Sequence, residues 1–316
     1  MVGEPAKSII TLEINASTIG TWSLQSNTIS GVYYSGAGNI TALGPQLIKL
    51  TAIGTPTAAN NNAVFTFTDT QTPPNTCSVT IKIIDRATKV YTVMSLLPEY
   101  WNSTLGPTSN SFTSTLRTTL AGNFSPSGTV KIAGFNYVEG TASESLASFT
   151  NKLNSADILW CGWPATNDWR TANDKIQAIR AWVDNHKGVA IFHADDSDHA
   201  IFANILGYAG PYYGNQSGVF TAENEIPLNG SFGDLRSQAF PAAGSGANQS
   251  AVLGEGKVLA YGSGANSTVA LIVMKDNYII LGNIDWAGNS TLTAANIFGK
   301  LYMNIFEWAI KTGPVN

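Results

Sequence analysis

The chain has 316 residues, a formal net charge of −4, and 12% charged against 44% hydrophobic residues. Globular sequences average about 25% charged residues, so this surface is made polar by Ser, Thr, Asn and Gly, a composition typical of exported proteins. No Lys/Arg run offers an electrostatic basis for nucleic acid or an anionic membrane, and no stretch reaches the ~18 consecutive apolar residues of a membrane span.

The length points to two domains, one small and one larger. The opening residues, "MVGEPAKSII", contain no signal-peptide apolar region, so export implies that a signal has been removed. Cys77 and Cys161 fall in different expected domains and make no metal-ligand spacing. A disulfide between them is not expected.

From residue 8 to 84 short runs rich in Thr, Ile, Val and Tyr alternate with Gly, Asn and Pro clusters: "SIITLEINA", "GTWSLQS", "GVYYSG", "QLIKLTAIG", "AVFTFTDT" and "CSVTIKII". Alternation of apolar and polar residues is the period of half-buried strands. The expectation is an all-β antiparallel sandwich of seven or so strands over residues 1–86. The segment "GTWSLQSNTISGVYYSGAGNIT", with the turn "GTPTAA" and the late strand "TCSVTIKI", resembles Ig-like modules of secreted and cell-surface proteins of Bacteroidetes. That resemblance implies a location and an architecture, and no chemistry.

After "DRATK" the period changes. "VYTVMSLLP" (90–98), "VKIAGF" (130–135), "DILWCG" (157–162) and "GVAIFH" (188–193) are continuous apolar runs, as strands covered on both faces require. Between them "SESLASFTNKLN" places Leu146, Phe149 and Leu153 at helical spacing, and "NDKIQAIRAWVDNH" does the same with Ile176, Ile179, Trp182 and Val183. Strand alternating with helix predicts a doubly wound, flavodoxin-like and mainly parallel sheet over residues 87–316. "GKVLAYGSG", "TVALIVMKD" and "NYIILGNID" add three strands, and "TAANIFGKLYMNIFEWAIK" a closing helix. Residues 207–256 read as a long excursion over the sheet edge.

The runs "ADILWCGWP", "AWVDNHKGVAIFH", "DHAIFANILGY" and "YIILGNIDWAGN" resemble the class I glutamine amidotransferase-like superfamily, and within it the ThuA-like group associated with carbohydrate utilisation. In the superfamily's enzymes a Cys nucleophile stands on the turn after the strand matched here by "GVAIFH". This chain has His193-Ala194-Asp195 there. Ser197 comes too late and Cys161 follows a different strand, so amidotransferase chemistry is disfavoured.

Two readings of "HADDSDHAIF" stay open. The acids cap a helix beginning near Asp198, or His193, Asp195 and Asp196 line the carboxyl edge of the sheet, where open α/β sheets bind ligands, joined by Asp285. In the second case they serve as acid/base groups, as ligands of a divalent metal, or as acceptors for sugar hydroxyls. Large rings stand at or beyond predicted strand ends: Trp101, Trp163, Trp169, Tyr212, Tyr213 and Trp286. Such rings stack on sugar C–H faces, although each alone fits core packing as well. Trp160, Trp182 and Trp308 fall within strands or on apolar helix stripes and are expected in the core.

No phosphate-cradling motif follows a strand, and no cofactor is expected. The sequence thus describes a secreted or cell-surface protein binding a glycan or another surface ligand without catalysis, its Ig-like domain a spacer. A carbohydrate-active or metal-dependent enzyme, and a structural or adhesive subunit of a surface assembly, are the alternatives.

Overall fold

The computed structural model describes residues 2–3, 5–70, 73–97, 103–106, 113–162, 169, 171–193, 212–213, 217–242, 246–247, 256–264, 267–283, 285–288 and 292–313. The chain divides into two compact units, Met1–Thr88 and Lys89–Asn316.

In the first unit all six apolar-alternating runs form strands: β1 (Ile9–Ala16), β2 (Gly20–Gln25), β3 (Val32–Ile40), β4 (Gly44–Gly54), β5 (Asn60–Thr68) and β6 (Thr76–Ile83). Four make an antiparallel sheet in the order β1-β4-β3-β2, and β5 and β6 make a hairpin. Alternate residues of each point inward. Val32, Tyr34, Leu50 and Ala52 of the sheet share one core with Ala63, Phe65, Phe67 and Ile83 of the hairpin side. Tyr34 meets Phe65 edge to face, ring centroids 4.9 Å apart, and its hydroxyl reaches Ser8 Oγ at 2.6 Å. The result is a two-layer antiparallel β structure. It has six strands among the described residues where the sequence suggested seven or so.

The second unit is built on β7 (Val90–Leu97), β8 (Gly134–Thr141), β9 (Ile158–Cys161), β10 (Val189–His193), β11 (Gly218–Phe220), β12 (Ala239–Phe240), β13 (Lys257–Gly262), β14 (Ala270–Lys275) and β15 (Tyr278–Leu281). They form one sheet in the order β12-β11-β13-β14-β15-β10-β9-β7-β8. Pairings from β8 to β15 are parallel, and those from β15 through β12 antiparallel. The sheet is therefore mixed half and half, which corrects the expectation of a mainly parallel one. The reason is local: β14 and β15 are joined by the two-residue turn Asp276-Asn277, and a connection that short reverses the strand.

Helices α1 (Ser114–Asn123), α2 (Leu146–Ser155), α3 (Asn173–Asp184) and α4 (Ile297–Thr312) cover the sheet. Strand parity sorts them. Tyr91, Val93, Ile158, Trp160, Val189, Ile191, Ile279 and Leu281 face α1 and α4. Met94, Leu96, Leu159, Cys161, Ala190, Phe192 and Ile280 face α2 and α3. Both faces are covered, as a doubly wound α/β domain requires.

Two elements differ from the sequence reading. "VKIAGF" is not the strand beside β7; Ile132 of that run is buried in the core, and the strand starts at Gly134, where residues able to pair with β7 through Leu97 begin. Helix α1 carries four Ser/Thr and only Leu116 and Leu120 as buried residues, too thin a stripe to read as periodicity. The excursion is partly regular as well. Residues 217–242 add β11 and β12 to the sheet edge and a small hairpin, Asn229–Gly230 with Gly233–Asp234.

That hairpin explains why α4 is buried at every position from Leu301 to Ile310. One side lies on the sheet and another is gripped by the hairpin. Asn304 Oδ1 accepts from Phe232 N at 3.1 Å and its Nδ2 donates to Gly233 O at 3.0 Å. Glu307 accepts from Ser231 N at 2.7 Å, from Ser231 Oγ at 2.6 Å and from Lys311 Nζ at 2.7 Å. Burial alone would raise the Glu307 carboxyl, but these donors together hold it below the ordinary glutamate value. The helix begins at an Asn296 cap whose Oδ1 accepts from Gly299 N at 2.8 Å.

Candidate functional site

The carboxyl ends of β7, β9, β10 and β15 meet along one edge of the sheet. His193 closes β10 there. It shares parity with Val189 and Ile191, so its side chain turns toward α4. Nδ1 lies 3.0 Å from Cys161 O and Nε2 lies 3.0 Å from Tyr302 Oη. A carbonyl can only accept, so Nδ1 carries the hydrogen and Nε2 accepts from the tyrosine hydroxyl.

The imidazole is fully buried, with Trp160 at 4.4 Å between ring centroids and Tyr302 stacked at 5.9 Å and 26°. Burial pushes its pKa down to about 3, against a smaller upward contribution from the Cys161 carbonyl. The ring is neutral at physiological pH and both nitrogens are engaged. It has no lone pair to offer a metal and none with which to take a substrate proton. The acid/base and metal-ligand roles considered for His193 are corrected: in this structure it is a satisfied core histidine.

Cys161 points to the other face of the sheet, among the α2 and α3 core residues, and is fully buried. Two of the expected ligand-stacking rings are core residues too. Trp286 is 1% exposed, stacked on Phe298 at 5.6 Å and 11° with Phe240 edge-on at 5.4 Å. Trp169 is fully buried beside Phe149 and donates its N–H to Leu97 O at 3.1 Å. Both rings have their faces covered by protein, because helices and loops close over the strand ends at these points. Trp160, Trp182 and Trp308 are buried as their strand and helix positions require.

Asp285 is half-buried at the edge, in a turn where its N–H donates to Asn283 Oδ1 at 2.6 Å. Tyr212 and Tyr213 form a two-residue antiparallel ladder with Gly246–Ala247. Asp195, Asp196, Trp101 and Trp163 lie outside the described residues. Among the described residues, no group of three or more His, Cys, Asp or Glu is placed to hold a metal ion.

No protein-family model matches the chain, and no curated protein matches it. Among solved structures it is similar to a protein of Bacteroides uniformis described as ThuA-like, at 15% identity and a TM-score of 0.45. The match covers 73% of this chain and 95% of that one.

Tyr302 completes the His193 environment and was not singled out from sequence. Its signal was a lone hydroxyl-bearing ring in the apolar stripe "LYMNIF" of α4. The same holds for the segment Ser103–Gly106, pinned beside the end of β7: Trp160 donates to Ser103 O at 2.8 Å, and Ser95 Oγ accepts from Leu105 N at 3.1 Å. Arg117 Nη1 fixes Gly106 O at 2.6 Å.

Proposed function

We propose that the α/β unit is a non-catalytic binding domain of the amidotransferase-like, ThuA-like kind, and that its ligand is a carbohydrate. The likeness of the β unit's sequence to Ig-like modules of secreted and cell-surface proteins of Bacteroidetes supports a place outside the cell. The carrying observation is His193. At the strand end where the superfamily's enzymes place their nucleophile, this chain spends an imidazole on two internal hydrogen bonds. A group so committed neither attacks nor relays a proton.

The ligand class is supported by the sparse charge of the chain and by aromatic residues that follow apolar strand-like runs in the sequence, Trp101, Trp163, Tyr212 and Tyr213. The test is an array of neutral and acidic glycans probed with the whole chain and with Trp101→Ala and Trp163→Ala. The reading expects a defined set of bound glycans that either substitution weakens, and unchanged binding by Asp195→Asn. An array without any bound glycan, or hydrolysis of a bound one that Asp195→Asn abolishes, would overturn it.

A further inference from the structure

The β unit carries a feature that a spacer does not need. Trp22 stands on β2 on the inner face of the four-stranded sheet, directly across from Gly38, and its neighbour on that face, Leu24, is across from Gly36. A Cβ on Gly38 would fall 2.8 Å from the indole Nε1 and 3.2 and 3.3 Å from Cε2 and Cζ2. One on Gly36 would fall 3.2 Å from Cη2. The indole therefore lies across the two glycines of β3, in the space where any other residue would put a side chain.

The ring is only half-buried and lines a groove of about 380 Å³. The groove lies where the inner face of the four-stranded sheet runs past the end of β5. Ile14, Ile48 and the indole line it from the inner face; Ser17 and Thr18, in the connection from β1 to β2, stand exposed at its rim. Asp69 is the single charged residue among those that line it. Its carboxylate is oriented by Asn75, whose backbone N–H and side-chain amide each donate at 2.8 Å.

We propose that this groove is a second, separate carbohydrate site, taking a short segment of a neutral saccharide. The chemistry selects that class. An apolar ring and aliphatic floor match the C–H face of a pyranose, and hydroxyl and carboxylate groups on the rim match its hydroxyls. No Lys, Arg or His lines the groove, so an anionic ligand would meet Asp69 without a counter-charge. The volume stands at the small end of the roughly 300–1,000 Å³ of ligand pockets, which favours a few sugar units over a large ligand. The proposal shares its ligand class with the reading of the α/β edge and rests on a different site.

The test labels the eight tryptophans of the whole chain with 5-fluorotryptophan and follows them by fluorine NMR. Hexasaccharides of β-1,4-linked glucose, xylose, mannose and N-acetylglucosamine are added in turn. The Trp22 resonance is identified by its loss in Trp22→Phe. The expected result is saturable movement of that resonance by at least one sugar, with Kd weakened about tenfold or more in Trp22→Ala and within about threefold of wild type in Trp22→Tyr. The rim variant Ser17→Ala/Thr18→Ala, at exposed positions outside the strands, should weaken binding about threefold or more. A Trp22 resonance unmoved by every sugar overturns the proposal, and so does wild-type affinity in the rim variant. Movement of the Trp101 or Trp163 resonance alone overturns it while supporting the α/β edge, and movement of Trp22 alone does the reverse.

Discussion

Trp286, in the turn beyond β15, and Trp22, within β2, are large rings at the margin of a core, yet they come to opposite ends. Trp286 is sandwiched by Phe298 and Phe240 under the start of α4, whereas Trp22 lies on two glycines with its ring half-buried. What differs is the cover. In the α/β unit Phe298 at the start of α4 and Phe240 of β12 close over the ring, and in the β unit a two-stranded layer faces a four-stranded one. A ring near a strand end is informative about binding only when the opposing layer stops short of it.

The sharpest way to break this contrast is truncation. Trp286→Ala should destabilise the α/β unit by about 3–5 kcal/mol, the usual cost of emptying a fully buried large aromatic site, read from the denaturant midpoint. An effect below about 1 kcal/mol would mean that the ring is not sealed.

The His193 site gives a pH-dependent counterpart. The unfolded imidazole titrates near 6.5 and the folded one near 3, so the unfolded state binds the extra proton as pH falls. Stability is full above pH 6.5 and should decline by on the order of 1 kcal/mol per pH unit below it. Between pH 6.5 and 5, before carboxylates titrate, a His193→Gln variant should show a flat profile where the wild type slopes. Parallel profiles would show that the imidazole titrates normally.

Glu307→Ala should cost about 1.5–3 kcal/mol, since it removes the charge-assisted hydrogen bonds that Ser231 and Lys311 donate to the carboxylate. Hydrogen exchange of the 229–234 amides should accelerate with it. Trp22→Ala should cost only about 1–2 kcal/mol, because its ring is incompletely covered and part of its surface is already in water. A loss as large as that of Trp286 would make Trp22 a core residue and remove the contrast. Asn296→Ala, which deletes the cap of α4, should cost about 1 kcal/mol by thermal melting.

Much of the fold was legible because burial writes itself into period. Six alternating runs gave six strands, and β7, β9, β10 and β15 followed from continuous apolar stretches sealed on both sides. The tight turn expected at about Asp276-Asn277 makes the reversal of β14 against β15 legible, but no comparably short turn before β14 encodes the direction of β13. The site was read less well. His193, Trp169 and Trp286 were correctly placed along the chain but not in depth, because strand parity and the reach of α4 decide depth and neither shows in local sequence. Trp22 was passed over for the complementary reason: its meaning lies in Gly36 and Gly38 on the next strand, a register the sequence does not display.

The position of α4 in the chain has a consequence for biogenesis. It follows every strand of the sheet, yet it seals Trp160, Ile191 and Leu281 and provides the anchor for the 229–234 hairpin. While a ribosome is still making residues before 297, the part of this side of the sheet that α1 does not reach has no covering layer, and its apolar residues stay wet. Acquisition of the native state by this unit must therefore wait until translation has passed Thr312, and a chaperone that shields apolar surface would have its longest hold during that interval.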